Sequence, residues 1–179
     1  MFRTTLALAY VKRTFRPLYA FSQATPQGAF LDTAWNRSVA IFPGMVATRT
    51  TGNNHTLIGS GGATTNDVAS GFFANFIGGN GIDELLDAGI NALGVWVLSP
   101  DAEFEVLAPA FDVTGGSGSA GWAQSSGADT LVYASVSGSN QGQLVASDCS
   151  TKSTKPVARL VQIESPTSII ISGLTTRTV

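Results

Sequence analysis

The chain has 179 residues, of which 44% are hydrophobic and only 12% are charged, and its formal net charge is −2. This length is typical of one domain, or of one domain with an arm, and the charged fraction is about half of the roughly 25% usual in soluble globular proteins. A single cysteine, Cys149, excludes an internal disulfide and a cysteine-based metal site. No apolar run approaches the ~20 residues that span a bilayer, so we expect no membrane segment. The apolar run Leu6–Val11 is cut off by Lys12 and Arg13, and no clean small-residue cleavage site follows at once, so we expect no secretion signal.

Residues 1–36 are predicted to form an N-terminal arm that precedes a β-rich domain over residues 37–179. Pro17 and Pro26 argue against a long helix in the arm, although its apolar spacing allows a short amphipathic one. Basic and aromatic residues are interleaved along it: Arg3, Lys12, Arg13, Phe15, Arg16, Tyr19 and Phe21. Such a mixture can bind nucleic acid, but the cations are few. We therefore expect the arm to pack on its own domain or on a neighbouring subunit, without direct contact to nucleic acid.

The charges are unevenly distributed along the chain. No Lys or Arg lies between Arg49 and Lys152, whereas most of the acidic residues fall in that interval. A basic arm ahead of an acidic middle suggests contact between segments or between copies, with simple solvation of both as the alternative.

The first part of the domain contains short β-strand patterns. Residues 38–50 predict a strand, a Pro43-Gly44 turn and a second strand, and Leu57-Ile58 predicts a short strand in a polar loop. Residues 68–77 carry Phe72, Phe73 and Phe76, which we expect in the core. Acidic residues at the start of residues 82–89 suit a helix of two turns, with a tight loop as the alternative.

The segment 94–111 is the strongest local pattern and predicts a β-hairpin. An apolar strand at 95–98 is followed by Ser99-Pro100, which suits a type I turn. In the return strand, Phe104 and Val106 alternate with Glu103 and Glu105, the pattern of a strand with one buried and one solvated face.

The last third is again β-rich. Residues 109–127 predict an exposed, flexible Gly/Ser linker that contains Trp122. Strands are expected at 131–136, 143–147, 157–164 and 169–171, the last two joined by a second Ser-Pro turn. The predicted fold class is mainly β, an antiparallel β-barrel or β-sandwich of about eight strands with one short helix and an extended N-terminal arm.

Catalytic patterns are weak throughout the sequence. His55 is the only histidine and lies in a polar loop without a Gly-x-Ser-x-Gly elbow. Cys149 lacks the cluster of nearby cations that would activate it, and Glu103 and Glu105 are interpreted as solubilising carboxylates on a strand face. We expect no enzyme activity, no cofactor and no metal site.

The order of several segments resembles a known family. These segments are SGFFANFI, GIDEL, VWVLSPDAEFEVLAPAFD, a Gly/Ser loop and PVARLVQIESPTSIIISGL, which together span about residues 38–174. They look like the capsid decoration, or head cement, proteins of tailed bacteriophages, and the low charge with abundant Gly, Ser and Thr agrees with viral shell proteins.

The resemblance implies a structural role without catalysis. The expected protein is a homotrimer made in the host cytoplasm that binds the major capsid protein on the outside of the virion and braces the shell. Our hypothesis for the capsid or intersubunit contact is the arm around Arg3–Phe21. The alternatives are a phage tail or fibre component that binds a host surface or glycan and, less favoured, a hydrolase.

Overall fold

A computed structural model describes residues 14–19, 25–31, 35, 38–49, 57–60, 69–78, 82, 93–97, 100–123, 130–136 and 140–174. This part of the chain forms eleven strands: β1 (Phe15–Tyr19), β2 (Thr25–Leu31), β3 (Val46–Arg49), β4 (Leu57–Ser60), β5 (Ala69–Phe73), β6 (Leu93–Val97), β7 (Glu103–Leu107), β8 (Thr130–Ala134), β9 (Leu144–Val145), β10 (Ala158–Ser165) and β11 (Ser168–Ser172). The predicted fold class is confirmed: the protein is mainly β with antiparallel sheets. The predicted helix at 82–89 lies outside the described residues, except for the buried Ile82.

The strands form two sheets. One has six strands in the order β1-β7-β11-β10-β8-β9, and every neighbouring pair in it is antiparallel. The other closes on itself as a barrel in the order β2-β4-β3-β5-β6, in which only the β2–β4 pair is parallel. Closure removes the exposed edges that an open sheet of this size would leave.

The two sheets share one core through aromatic contacts. Phe15 of β1 stacks on Phe104 of β7, with ring centroids 4.4 Å apart, and on Phe72 of the barrel at 5.6 Å. Trp96 of the barrel also contacts Phe104. Phe72 and Phe73 are buried as predicted, whereas Phe76 is half-buried and packs against Phe42. Burial of aromatic rings from both sheets makes the protein a single packed unit.

The segment 94–111 folds differently from the predicted hairpin. Both strands form, but β6 pairs with β2 and β5 in the barrel, while β7 pairs with β1 and β11 in the other sheet. A strand has only two edges, and those of β6 are already occupied, so β7 cannot pair with it. The Pro100 turn is therefore a corner between sheets. The second Ser-Pro turn does close a hairpin, because β10 and β11 pair directly.

The second half of the predicted arm packs on its own domain, one of the two expected placements, but it does so as strands within the two sheets. β1 pairs with β7, with Phe15 opposite Val106, and β2 pairs with β6 along five residues. Phe15 is 8% exposed, so its position is strand core and not the face of a helix. β7 and β6 lie roughly 65 to 90 residues further along the chain, a separation that no local pattern reveals.

Two further segments depart from prediction. The first strand expected at 38–50 is reduced to a single bridge between Ile41 and Ile77, although β3 follows the Pro43-Gly44 turn as predicted. The Gly/Ser segment is ordered turn structure over residues 109–123, with Gly115 and Gly116 buried. Residues 124–127 of the predicted linker lie outside the described part of the chain.

Candidate interaction surface

Among the residues that the sequence proposed as a contact site, the structure describes the side chains of Phe15 and Arg16. Phe15 lies in the core, whereas Arg16 on the same strand has a side chain that is 55% exposed. Tyr19 lies opposite Glu103 in the sheet, although its side chain is outside the described residues. The remaining members also lie outside the described residues: Arg3, Lys12, Arg13 and Phe21.

A charged cluster joins β1, β7 and β11 on one face of the six-stranded sheet. The Arg16 Nε donates a hydrogen bond to Glu105 Oε2, and Ser168 Oγ donates to Glu105 Oε1 at 2.6 Å. Glu105 is only 7% exposed. Burial raises the pKa of Glu105, but hydrogen bonds from Arg16 and Ser168 and the charge of Arg16 outweigh it, so the pKa lies below its ordinary value. Glu105 is therefore a buried, ionised link between three strands.

The interpretation of Glu105 as a solubilising carboxylate is wrong. The alternation correctly placed the Glu105 side chain on the other face of β7 from Phe104 and Val106, which are both buried in the core. The sequence offered no signal for its partners, because Arg16 is 89 residues away and Ser168 is 63 residues away.

β1 lies at one end of the six-stranded sheet and carries features of a protected edge. Leu107 N donates to Thr14 O, so strand alternation directs the backbone groups of Arg16 toward β7 and those of Pro17 toward the free edge. Proline has no N–H to leave unpaired there. Leu18 is 47% exposed beside it. This edge is thus better suited to side-chain contacts than to addition of another strand.

An apolar groove opens between the Gly/Ser segment and the β10–β11 hairpin. Its volume is about 310 Å³, and it is lined by Phe111, Val113, Trp122, Ile163, Ser165, Pro166 and Ile169. Val113 is 48% exposed. A cleft of this size with mostly apolar walls can accept a few apolar side chains of a partner.

The wall of the groove is fixed by Trp122. Its Nε1 donates to Asp112 O at 2.6 Å, and its ring meets Phe111 edge to face at 5.6 Å. A Trp ring held by both contacts has few alternative rotamers, so the groove is pre-formed.

The Gly/Ser segment behind that wall is held by Asp148. Asp148 accepts hydrogen bonds from Ser119 Oγ at 2.5 Å and from Ala120 N at 2.8 Å. These bonds, the one from Ser119 first, lower the pKa of Asp148. Gly116 has φ of +98°, and a Cβ there would collide with the Sγ of the buried Cys149. The segment is therefore a specified structure, which its flexible composition concealed.

The described residues contain no group of three or more His, Cys, Asp or Glu side chains placed to hold a metal ion. His55 lies outside them. Within the same residues, no helix has the length and apolar character that a membrane crossing requires.

These features define a β-rich protein whose most distinctive surfaces are a protected sheet edge and an apolar groove. A family model described as phage cement protein matches residues 1–178, and the chain belongs to that family. Comparison with curated proteins and with solved structures gave no significant match. Membership indicates a structural, capsid-associated component of a phage virion and argues against an enzyme.

Proposed function

We propose that this protein binds the outer surface of an assembled phage capsid through the major capsid protein and stabilises the shell. The observation that carries the proposal is the match to the cement family across residues 1–178. The single aromatic core shared by both sheets supports it, because a brace must resist deformation when the shell is under load.

The proposed oligomer is a homotrimer on the exterior of the virion. A shell offers many identical sites, so a symmetric oligomer multiplies a weak contact into tight attachment. Cation-rich residues 1–13 and the exposed side chains of β1 form the proposed contact with the shell or with a neighbouring subunit.

The structure changes how that contact has to be tested. Removal of residues 1–30, which the sequence alone would suggest, also deletes β1 and most of β2, including the core residue Phe15. A truncation of residues 1–13 stops before Thr14, whose hydroxyl donates to Pro43 O at 2.9 Å, and leaves every described strand in place.

The test uses phage particles that lack this protein, mixed with purified wild-type or truncated protein. Wild-type protein is expected to co-sediment with the particles, to appear as added density on their outer surface by electron cryomicroscopy and to raise their disruption temperature. The variant without residues 1–13 should lose all three effects but keep its circular dichroism spectrum. The matched control is Lys155→Ala, which removes an exposed cation at a site remote in sequence from the arm.

Two results would contradict the proposal. Failure of the wild-type protein to bind such particles would show that it is not a capsid-binding protein. Undiminished binding of the truncated protein would show that the contact lies on a surface other than residues 1–13.

The alternative of a glycan-binding tail or fibre component gains no support from Trp122. A sugar-binding tryptophan presents an open ring face, but Trp122 is half-buried and packs on Phe111, with its N–H bonded to Asp112.

A further inference from the structure

We infer that the apolar groove receives the N-terminal segment of a second copy of this chain, with the side chains of Leu6 and Leu8 as its occupants. The inference deepens the proposed function, on which it rests for the need to form an oligomer. It names the apolar groove as the surface that residues 1–13 bind, whereas the proposed function assigns these residues to the shell or to a neighbouring subunit without naming a binding surface.

The first argument is the position at which the chain enters the sheet. Thr14 O accepts from Leu107 N, and Leu107 lies opposite Ser168 in the neighbouring strand. Adjacent strands are about 4.8 Å apart, so Thr14 lies roughly 10 Å from the hairpin that supplies Ser165, Pro166 and Ile169 to the groove. The N-terminal segment thus joins the domain at the same end of the sheet as the groove.

The second argument is the length and pattern of that segment. Residues 1–13 can span about 45 Å when extended. They include an unbroken nonpolar run, Leu6–Val11, in which Leu6, Leu8 and Tyr10 share one side of an extended chain. An apolar groove with the exposed Val113 on its wall matches such a row of side chains.

The third argument is charge. Residues 1–13 contain Arg3, Lys12 and Arg13 and no acidic residue. The groove is bordered by Asp112, which lies between Phe111 and Val113 and whose carboxylate accepts hydrogen bonds from Thr114. An opposite charge beside an apolar contact favours its formation.

We assign the occupant to a second copy because the proposed function requires an oligomer. At the start of β1 the chain is packed against the domain, since Thr14 bonds to Pro43 O and Gly44 is packed closely between Phe15 and Ala110. Exchange of a terminal segment between copies is a low-cost route to an oligomer.

The test is disulfide cross-linking of full-length protein in the absence of capsids. A mass-tagged Leu8→Cys variant is mixed at high micromolar concentration with Val113→Cys and oxidised. The matched control pairs Leu8→Cys with Lys155→Cys, because Lys155 is also exposed and lies outside the contact proposed for the arm and β1. Wild-type protein, whose Cys149 is buried, serves as the blank.

The expected result is a mixed dimer with Val113→Cys in several-fold higher yield than with Lys155→Cys. Leu8→Asp and Val113→Asp should each shift the wild-type oligomer toward monomer in sedimentation velocity runs. Equal yields with the two partners would overturn the inference. So would a double variant, Leu8→Cys with Val113→Cys, that forms mainly an intrachain disulfide, since the groove would then hold the segment of its own chain.

These outcomes are separable from those of the capsid experiment. If cross-linking fails while removal of residues 1–13 still abolishes capsid binding, the segment contacts the shell directly. In that case the inference is wrong and the proposed function stands.

Discussion

Arg16 and Glu105 lie directly opposite each other in neighbouring strands, and the Arg16 Nε donates a hydrogen bond to Glu105 Oε2. The pair joins the edge strand β1 to β7, while Ser168 joins the same carboxylate to β11. Glu105 is buried, whereas the side chain of Arg16 is half-exposed. Removal of Arg16 therefore leaves a buried carboxylate without its charged partner, which destabilises the folded protein.

Arg16→Ala should destabilise the protein by about 2 kcal/mol, because a buried carboxylate loses its charged hydrogen-bond partner. That loss corresponds to a fall of about 4–8 °C in the thermal midpoint of a domain of this size. Differential scanning calorimetry measures it. Lys155→Ala is the control and should stay within about 0.5 kcal/mol of wild type. Equal effects of the two substitutions would mean that the Arg16–Glu105 pair contributes nothing specific.

The contribution of Glu105 should depend on pH in a defined direction. Its pKa is held below the ordinary value of 4.5 in the folded protein, so its stabilisation is complete above that value. It is lost as the pH falls from 4.5 through the lower, folded-state pKa, where the native carboxylate takes up its proton. The measurement is the difference in unfolding midpoint between wild type and Glu105→Gln from pH 7 down to about pH 3. We expect a constant difference above about pH 4.5 that shrinks below it, and a difference independent of pH would rule out an ionised Glu105.

Phe15→Ala should be far more damaging than Leu18→Ala, although both residues lie on β1. Phe15 is 8% exposed and stacks on Phe104 and Phe72, so its truncation leaves a cavity that costs about 3–5 kcal/mol. Leu18 is 47% exposed and should change stability by less than about 1 kcal/mol. Urea unfolding curves of the two variants provide the comparison. Similar midpoints would show that β1 does not belong to the core.

Gly71→Ala should disrupt the barrel. A Cβ at Gly71 would collide with the backbone carbonyl of Trp96 on the paired strand, which cannot move without breaking the β5–β6 pairing. We expect a loss of about 3 kcal/mol or more, measured by urea unfolding. Gly121→Ala is the matched control, since Gly121 also has a positive φ, +107°, but open space around its Cβ position. It should lose only about 1–2 kcal/mol from backbone strain. A smaller loss at Gly71 than at Gly121 would contradict the close approach of β5 and β6 in the barrel.

Local chemistry made several elements predictable from the sequence. Alternation identified β7, turn residues separated β10 from β11, and apolar runs identified β6 and β8, since each signal depends on residues close together in the chain. The resemblance to capsid decoration proteins likewise came from segments in sequence order, and the family match confirmed it.

Partner choice was decided only by the tertiary structure. The segment 94–111 has every local feature of a hairpin, yet β6 and β7 join different sheets because other strands occupy the edges of β6. For the same reason the basic, proline-containing stretch at 15–19 was predicted to be part of an arm and is an edge strand.

The sequence by itself determined the approximate positions of β6, β7, β8, β10 and β11 and which side of β7 carries its acids. It could not determine that Glu105 is buried or that Trp122 walls a groove, because both depend on contacts with distant segments. Short-range patterns specify the conformation of a strand, whereas the burial of its outer face depends on which distant segments pack against it.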